Sequence, residues 1–92
     1  MNKYHIQMSN VHFNGFKRIV ADPDFCDGQP RIEATRITVA SILSYLAGGM
    51  SVAQIVVAYP KLSTEDVYEA IAFAATHFKD RYLPLKLSPA AA

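Results

Sequence analysis

The fold of this chain is decided by residues 38–78, which read TVASILSYLAGGMSVAQIVVAYPKLSTEDVYEAIAFAATHF. At the start of this stretch, four apolar side chains recur at the spacing of one helix face: Val39, Ile42, Leu43 and Leu46. Two consecutive glycines follow, and glycine adopts the left-handed backbone of a helix C-terminus without steric cost. The pattern therefore predicts a helix over residues 38–47.

Two further helices follow in the same stretch. Ser51 and Gln54 have the spacing of a capping box, which predicts the start of a short second helix. Ser63 is the predicted N-cap of a third helix, and acidic residues in its first turn suit the helix dipole. Three helices of about ten, seven and fifteen residues, joined by short turns, predict a compact tri-helical unit over residues 38–81. This unit is either helix-turn-helix-like (homeodomain-like), which is the fold we expect, or a plain helical bundle.

The third helix has more apolar residues than one core-facing stripe needs. Helical spacing assigns six of them to the core: Val67, Ala70, Ile71, Ala74, Ala75 and Phe78. Three others lie off that stripe on a second apolar flank: Tyr68, Ala72 and Phe73. We expect this flank to form a homodimer interface.

Residues 1–37 have the pattern of β-structure and turns. Apolar residues alternate with polar ones over residues 4–8, and Asn14-Gly15 between two apolar runs predicts a β-hairpin. A short strand is predicted at 31–37. The fold class is therefore α+β, with an N-terminal β-hairpin region before the three helices. We expect one domain over residues 1–81, followed by an extended arm at 82–92.

Composition excludes several classes of protein. The chain has 92 residues, of which 51% are hydrophobic, and its net charge of +1 argues against a strongly basic nucleic-acid binder. Cys26 is the single cysteine, so an intramolecular disulfide is excluded. We read no signal peptide and no membrane span, and we expect a cytoplasmic protein. A domain this small cannot bury all its apolar side chains, which indicates a partner.

Charge is distributed unevenly, and this limits how DNA could be bound. The helical residues 38–78 carry one basic side chain against three acidic ones, whereas residues 1–37 carry five against four. Acidic groups near phosphates repel them. If the chain binds operator DNA, the candidate contacts are Arg31, Arg36, Ser51, Gln54, Lys61 and Thr64. Further phosphate contacts would come from Lys17, Arg18, Lys79 and Arg81.

Catalysis has little support in the sequence. The acidic turn residues Asp22, Asp24 and Asp27 lack the spacing of a calcium loop, and Asx-turns explain them better. Cys26 has no histidine beside it in sequence. We therefore expect no enzyme activity, no cofactor and no metal. A small enzyme that uses Cys26 or the aspartate turn is the alternative from another class.

The C-terminal segment has the pattern of an extended, partner-binding arm. Its leucines alternate with other residues, and Pro84 blocks a helix. The candidate partner-binding residues are Arg81, Tyr82, Leu83, Leu85, Lys86 and Leu87. The alternative is that the arm folds back onto its own domain or frays.

Four blocks of the chain carry a resemblance to a known family. They read RIVADP at 18–23, DGQPRIEATRITV at 27–39, ILSYLAGGMS at 42–51 and YPKLSTEDV at 59–67. In this order they resemble a small bacterial family of antitoxin-like proteins, catalogued as domain of unknown function 433. The resemblance covers residues 18–75. Ala34 and Asp27 stand where that family commonly has glycine, so we expect the turn geometry to differ there.

The resemblance implies a helix-turn-helix-like fold and a role in type II toxin–antitoxin pairs. The implied partner is a PIN-type ribonuclease toxin with an acidic, metal-binding active site. We expect a non-catalytic antitoxin whose Lys86 or Arg81 neutralises those carboxylates, with autorepression through operator DNA as a further expectation. We assign Thr35 and Arg36 first to bracing the strand-to-helix junction. The alternative is a dimerising interaction module with a homeodomain-like fold and no DNA binding.

Overall fold

A computed structural model describes residues 11–82 of the chain, with side chains described as far as Lys79. Three short strands precede three helices, which confirms the predicted α+β class. The strands are β1 (Val11–His12), β2 (Ile19–Ala21) and β3 (Arg31–Ile32). The helices are α1 (Val39–Ala47), α2 (Val52–Ala58) and α3 (Thr64–Tyr82). The strand predicted at residues 4–8 and the arm beyond Tyr82 lie outside the described residues.

The sheet is antiparallel with the order β1-β2-β3. Val11 pairs with Ala21, which confirms the predicted hairpin. The Phe16 N–H donates to the Phe13 carbonyl at 3.0 Å, so Asn14-Gly15 forms the centre of the turn. Strand β3 pairs with β2 but is shorter than the predicted strand at 31–37, because the chain turns at once after Ile32.

Side-chain caps fix where each helix begins. The Thr38 hydroxyl accepts a hydrogen bond from the Ser41 N–H at the start of α1. Ser51 and Gln54 form the predicted reciprocal capping box at the start of α2. Ser63 and Asp66 exchange the same pair of bonds at the start of α3. Helix α3 has 19 residues and is longer than predicted.

Every helix and two of the strands contribute to a single hydrophobic core. Its buried members are Ile19, Ile32, Val39, Ile42, Ile55, Leu62, Val67, Ala70 and Phe73. The core fixes the sheet against the helices, so the loop between β3 and α1 is held at both ends. None of the helices in the described part of the chain is both long enough and apolar enough to cross a bilayer.

The face of α3 that meets the core differs from the one predicted. Phe73 is only 5% exposed, whereas Phe78 is 64% exposed and Ile71 is also at the surface. The Phe73 ring lies edge-on to Phe13 and Phe16, with ring centroids 4.9 and 5.2 Å away. The hairpin loop therefore covers the side of α3 that carries Phe73, which helical spacing assigns to the second apolar flank rather than to the core. The placement of Phe73 on an outer flank is wrong, while Tyr68 and Ala72 are exposed as expected.

Candidate anion-binding site

The site is built on a tight turn between β3 and α1. The Thr35 hydroxyl donates to the Ile32 carbonyl at 2.7 Å and accepts from the Ile37 N–H at 2.9 Å. These bonds confirm that Thr35 braces the strand-to-helix junction. Within the turn, Ala34 has a left-handed backbone with φ of +65°. The turn is therefore rigid, and it fixes the directions of the two arginines on either side.

Arg31 is buried in this turn rather than exposed. Its side chain is 8% exposed, and its Nε–H donates to the Thr35 carbonyl at 3.0 Å. In this structure the guanidinium does not extend from the surface as a base contact requires, so DNA contact by Arg31 stays a prediction. The Nη1 atom of Arg31 is buried and has no hydrogen-bond partner among the described residues. An unpaired buried group of this kind is costly, and a ligand acceptor would relieve that cost.

Phe25 brings the second arginine to the same place. The Cζ atoms of Arg31 and Arg36 lie 4.4 and 4.5 Å from the centroid of the Phe25 ring. A ring face attracts guanidinium groups, so one aromatic side chain holds two positive charges close together. The ring is positioned by a turn in which Asp22 accepts a hydrogen bond from the Asp24 N–H at 2.9 Å. This bond is the predicted Asx-turn.

These side chains surround a cavity of about 510 Å³, which we call the cationic cavity. Its lining comprises Phe25, Arg31, Ala34, Thr35, Arg36, Ile37 and Lys61. Lys61 comes from the turn before α3 and adds a third positive charge. No carboxylate is part of this lining, and none in the described part of the chain pairs with these three cations. The cavity therefore suits an anionic group.

A smaller apolar cavity of about 240 Å³ adjoins the cationic cavity, and the two share Ile37 and Lys61. The rest of its lining is Ala58, Tyr59 and Pro60. The Tyr59 ring stacks on Tyr45 with centroids 4.8 Å apart. A hydrogen bond with Tyr45, together with burial, raises the pKa of Tyr59 above its ordinary value. No carboxylate lines the apolar cavity, so it has no anionic wall.

On the other side of Lys61, cations and carboxylates occur together. The Arg18 Nε atom lies 3.1 Å from Asp66 Oδ1, and Asp66 is buried. The backbone N–H of Lys17, not its ammonium group, donates to Glu69 Oε2 at 3.3 Å. With Glu65, these residues line a separate pocket next to Lys61. This pocket therefore combines cations with carboxylates, whereas the cationic cavity is lined by cations alone among its charged residues.

The structure brings together three of the six predicted DNA contacts, Arg31, Arg36 and Lys61. Ser51 and Gln54 bond to each other in the cap of α2, and Thr64 is exposed at the start of α3. Arg81 and Tyr82 lie in the last turn of α3, and their side chains are outside the described part of the structure. The remaining arm candidates, Leu83, Leu85, Lys86 and Leu87, lie outside the described residues.

Sequence reasoning missed Phe25, which is central to the site. The sequence signal for it was an aromatic residue within a run of turn formers, followed by two arginines after Pro30.

The structure does not bring the catalytic candidates together into one site. Within residues 11–79, no three His, Cys, Asp or Glu side chains are arranged to hold a metal ion. Cys26 is partly buried in a tight turn.

Comparison with known proteins gives one match. A family model described as "Protein of unknown function (DUF433)" matches residues 19–74, which include the cationic cavity. Neither the curated proteins nor the solved structures give a match.

Ala34 and Asp27, which replace glycines of the resembled family, have φ of +65° and +56°. Both therefore adopt the left-handed backbone that glycine takes without steric cost.

Proposed function

Because the chain belongs to the DUF433 family of proteins of unknown function, we propose its role from its resemblance to antitoxin-like proteins together with the geometry of the site: it is a non-catalytic antitoxin that binds and neutralises a PIN-type ribonuclease. The observation that carries this proposal is the cationic cavity. Three cations share one cavity without a carboxylate among its described lining residues. A site of this kind is complementary to an acidic partner, and the implied toxin has an acidic active site.

The cavity supports binding rather than catalysis. A buried guanidinium that is fixed by a backbone carbonyl makes a rigid hydrogen-bond donor, as recognition of a carboxylate requires. Arg36 and Lys61 are exposed, so they are accessible to a partner without unfolding of the turn. Covering the acidic active site of the ribonuclease would neutralise it by exclusion of RNA.

Operator binding is the weaker candidate. Ser51 and Gln54 are engaged in a helix cap, and Arg31 is buried. Of the six candidates for operator contacts, Arg36, Lys61 and Thr64 are exposed without a role in a helix cap, and Arg36 lies over the Phe25 ring. These observations favour a protein-interaction module that does not read base edges.

We also propose that the chain forms a homodimer through α3. Tyr68 is 58% exposed, and Ile71 and Ala72 lie at the surface beside it. Burying these apolar side chains against a second copy would remove them from water. Light scattering after size exclusion should give a dimer mass for the wild type and a monomer mass for Tyr68→Glu. A monomeric wild type would overturn this part of the proposal.

Co-expression tests the antitoxin role. The chain is produced with a tagged PIN-type ribonuclease encoded beside its gene, and the tagged protein is purified. We expect the chain to co-purify and RNA cleavage by the ribonuclease to fall. A ribonuclease that elutes alone and cleaves RNA at its full rate would contradict the proposal.

A further inference from the structure

The two cavities that meet at Ile37 and Lys61 differ in chemistry. The cationic cavity offers guanidinium and ammonium donors, and the apolar cavity offers Ala58, Pro60 and the Tyr59 ring. A ligand that fills both must place an anionic group beside an apolar one. We propose that the paired cavities bind a short peptide segment in which an acidic side chain lies next to a large aliphatic side chain. This inference rests on the proposed protein-binding function and names the element that is recognised.

The acidic side chain would occupy the cationic cavity. The carboxylate accepts hydrogen bonds from the exposed Arg36 and Lys61, and Arg31, whose buried Nη1 atom has no partner, belongs to the same lining. Arg31 is positioned for this by its bond to the Thr35 carbonyl and by the Phe25 ring. The carboxylate reduces the repulsion among three like charges that share one cavity.

The surroundings of Lys61 favour a single carboxylate over a polyphosphate backbone. Glu65, Asp66 and Glu69 line the pocket on its other side. Lys17 and Arg18 line the same pocket and balance these carboxylates, so successive phosphates of a nucleic acid would find no net positive charge there. A lone anion that stays within the cationic cavity needs no attraction from that pocket.

The aliphatic side chain would occupy the apolar cavity. Ile37 and the Tyr59 ring form two of its walls, and both belong to partly buried residues that pack against the core. The walls are therefore preformed, and a leucine-sized group displaces water from an apolar surface. Neither cavity alone distinguishes this ligand from a free anion or from a generic apolar group, whereas the pair does.

Nuclear magnetic resonance titration tests the inference. The probe is a blocked peptide that contains Glu-Leu between glycines and serines, added to the full isotope-labelled chain. We expect the amide signals of Arg36, Ile37 and Lys61 to shift. Replacing the Glu of the peptide by Gln should weaken binding by about tenfold or more, since a charge-assisted hydrogen bond is lost. Replacing its Leu by Ala should weaken binding by about tenfold.

Variants of the chain localise the binding. Arg36→Gln should reduce peptide affinity by about tenfold, whereas Lys79→Gln, which removes an exposed cation on α3, should leave affinity unchanged. Equal binding of the Glu and Gln peptides would overturn the inference. So would tighter binding of inorganic phosphate or of a short DNA duplex at the same amide signals.

The outcome separates this inference from the proposed function. If the peptide binds as expected but the ribonuclease does not co-purify, the paired cavities are supported and the antitoxin role fails. If the ribonuclease is captured equally by the wild type and by the Arg36→Gln, Lys61→Gln double variant, the antitoxin role is supported and the paired cavities fail.

Discussion

Arginine side chains occupy two contrasting settings in this small domain. Arg18 leaves the hairpin and meets the buried Asp66 carboxylate at 3.1 Å, beside the aromatic contact of Phe13 and Phe16 with Phe73. We call this region the hairpin–α3 contact. Arg31 and Arg36 instead meet at the Phe25 ring, where no carboxylate lines the cationic cavity. The two regions differ in whether the protein itself supplies the counter-charge.

This difference separates charge that serves folding from charge that remains for a ligand. Asp66 caps α3 and also pairs with Arg18, so its carboxylate links the hairpin to the helix. In the cationic cavity, aromatic and backbone groups hold the cations but do not neutralise them. Substitutions in the first region should therefore change stability, and substitutions in the second should change binding.

The largest effect is expected at Phe73. Phe73→Ala removes a buried ring that two phenylalanines contact, and it should lower the free energy of unfolding by about 3 to 4 kcal/mol. Urea unfolding followed by circular dichroism measures the change. Lys79→Ala, at an exposed position of the same helix, is the control and should change stability by less than about 0.5 kcal/mol. Equal effects would show that Phe73 is not a core residue.

Asp66 should have the next largest effect. Asp66→Ala removes the acceptor for the Ser63 N–H and leaves Arg18 without its partner, so stability should fall by about 2 to 3 kcal/mol. Glu65→Ala, one residue earlier and exposed, should cost less than about 0.5 kcal/mol. Both values come from denaturant unfolding at neutral pH. An Asp66→Ala variant as stable as the wild type would show that the Arg18–Asp66 pair does not contribute to folding.

A substitution at Ala34, which lines the cationic cavity, should have a smaller effect, and it should raise the stability of the domain rather than lower it. The Ala34 backbone has φ of +65°, which is unfavourable for a residue with a Cβ atom. Ala34→Gly should raise the free energy of unfolding by about 0.5 to 1 kcal/mol, since relief of strain exceeds the added entropy of the unfolded chain. Thermal unfolding measures this, with Ala40→Gly in α1 as a destabilising control. A lower melting temperature for Ala34→Gly would contradict the left-handed turn.

The smallest effect on stability is expected for the cations of the cavity. The Arg36→Gln, Lys61→Gln double variant should unfold within about 0.5 kcal/mol of the wild type, because both side chains are exposed and lack carboxylate partners. Matched urea unfolding curves test this. A loss of stability as large as that of Asp66→Ala would show that the cavity serves folding, and the contrast between the two regions would disappear.

The sequence predicts the local structure of this domain better than its tertiary contacts. Asn14-Gly15, Ser51 with Gln54, and Ser63 each act over a few residues, and all three mark turns or caps that the structure confirms. Phe73 was misplaced because its partners come from a hairpin about sixty residues earlier in the chain, and periodicity within α3 carries no information about them.

The cationic cavity could be predicted only in part, for the same reason. Arg31, Arg36 and Lys61 stand out as basic residues, but the sequence does not indicate that they share one cavity or that Phe25 joins them. Arg31 is buried against the turn that Thr35 closes, and this turn follows directly on the pairing of β3 with β2. Long-range packing therefore turns three scattered cations into one site.

Inhibition of the PIN-type ribonuclease by the cavity variant is the measurement that tests the account most directly. RNA cleavage is followed while wild type, the Arg36→Gln, Lys61→Gln double variant and the Lys79→Gln control are added in increasing amounts. We predict that wild type and Lys79→Gln inhibit at the same concentration, and that the double variant needs at least about tenfold more protein. Inhibition by the folded double variant at the wild-type concentration would contradict a binding role for the cationic cavity.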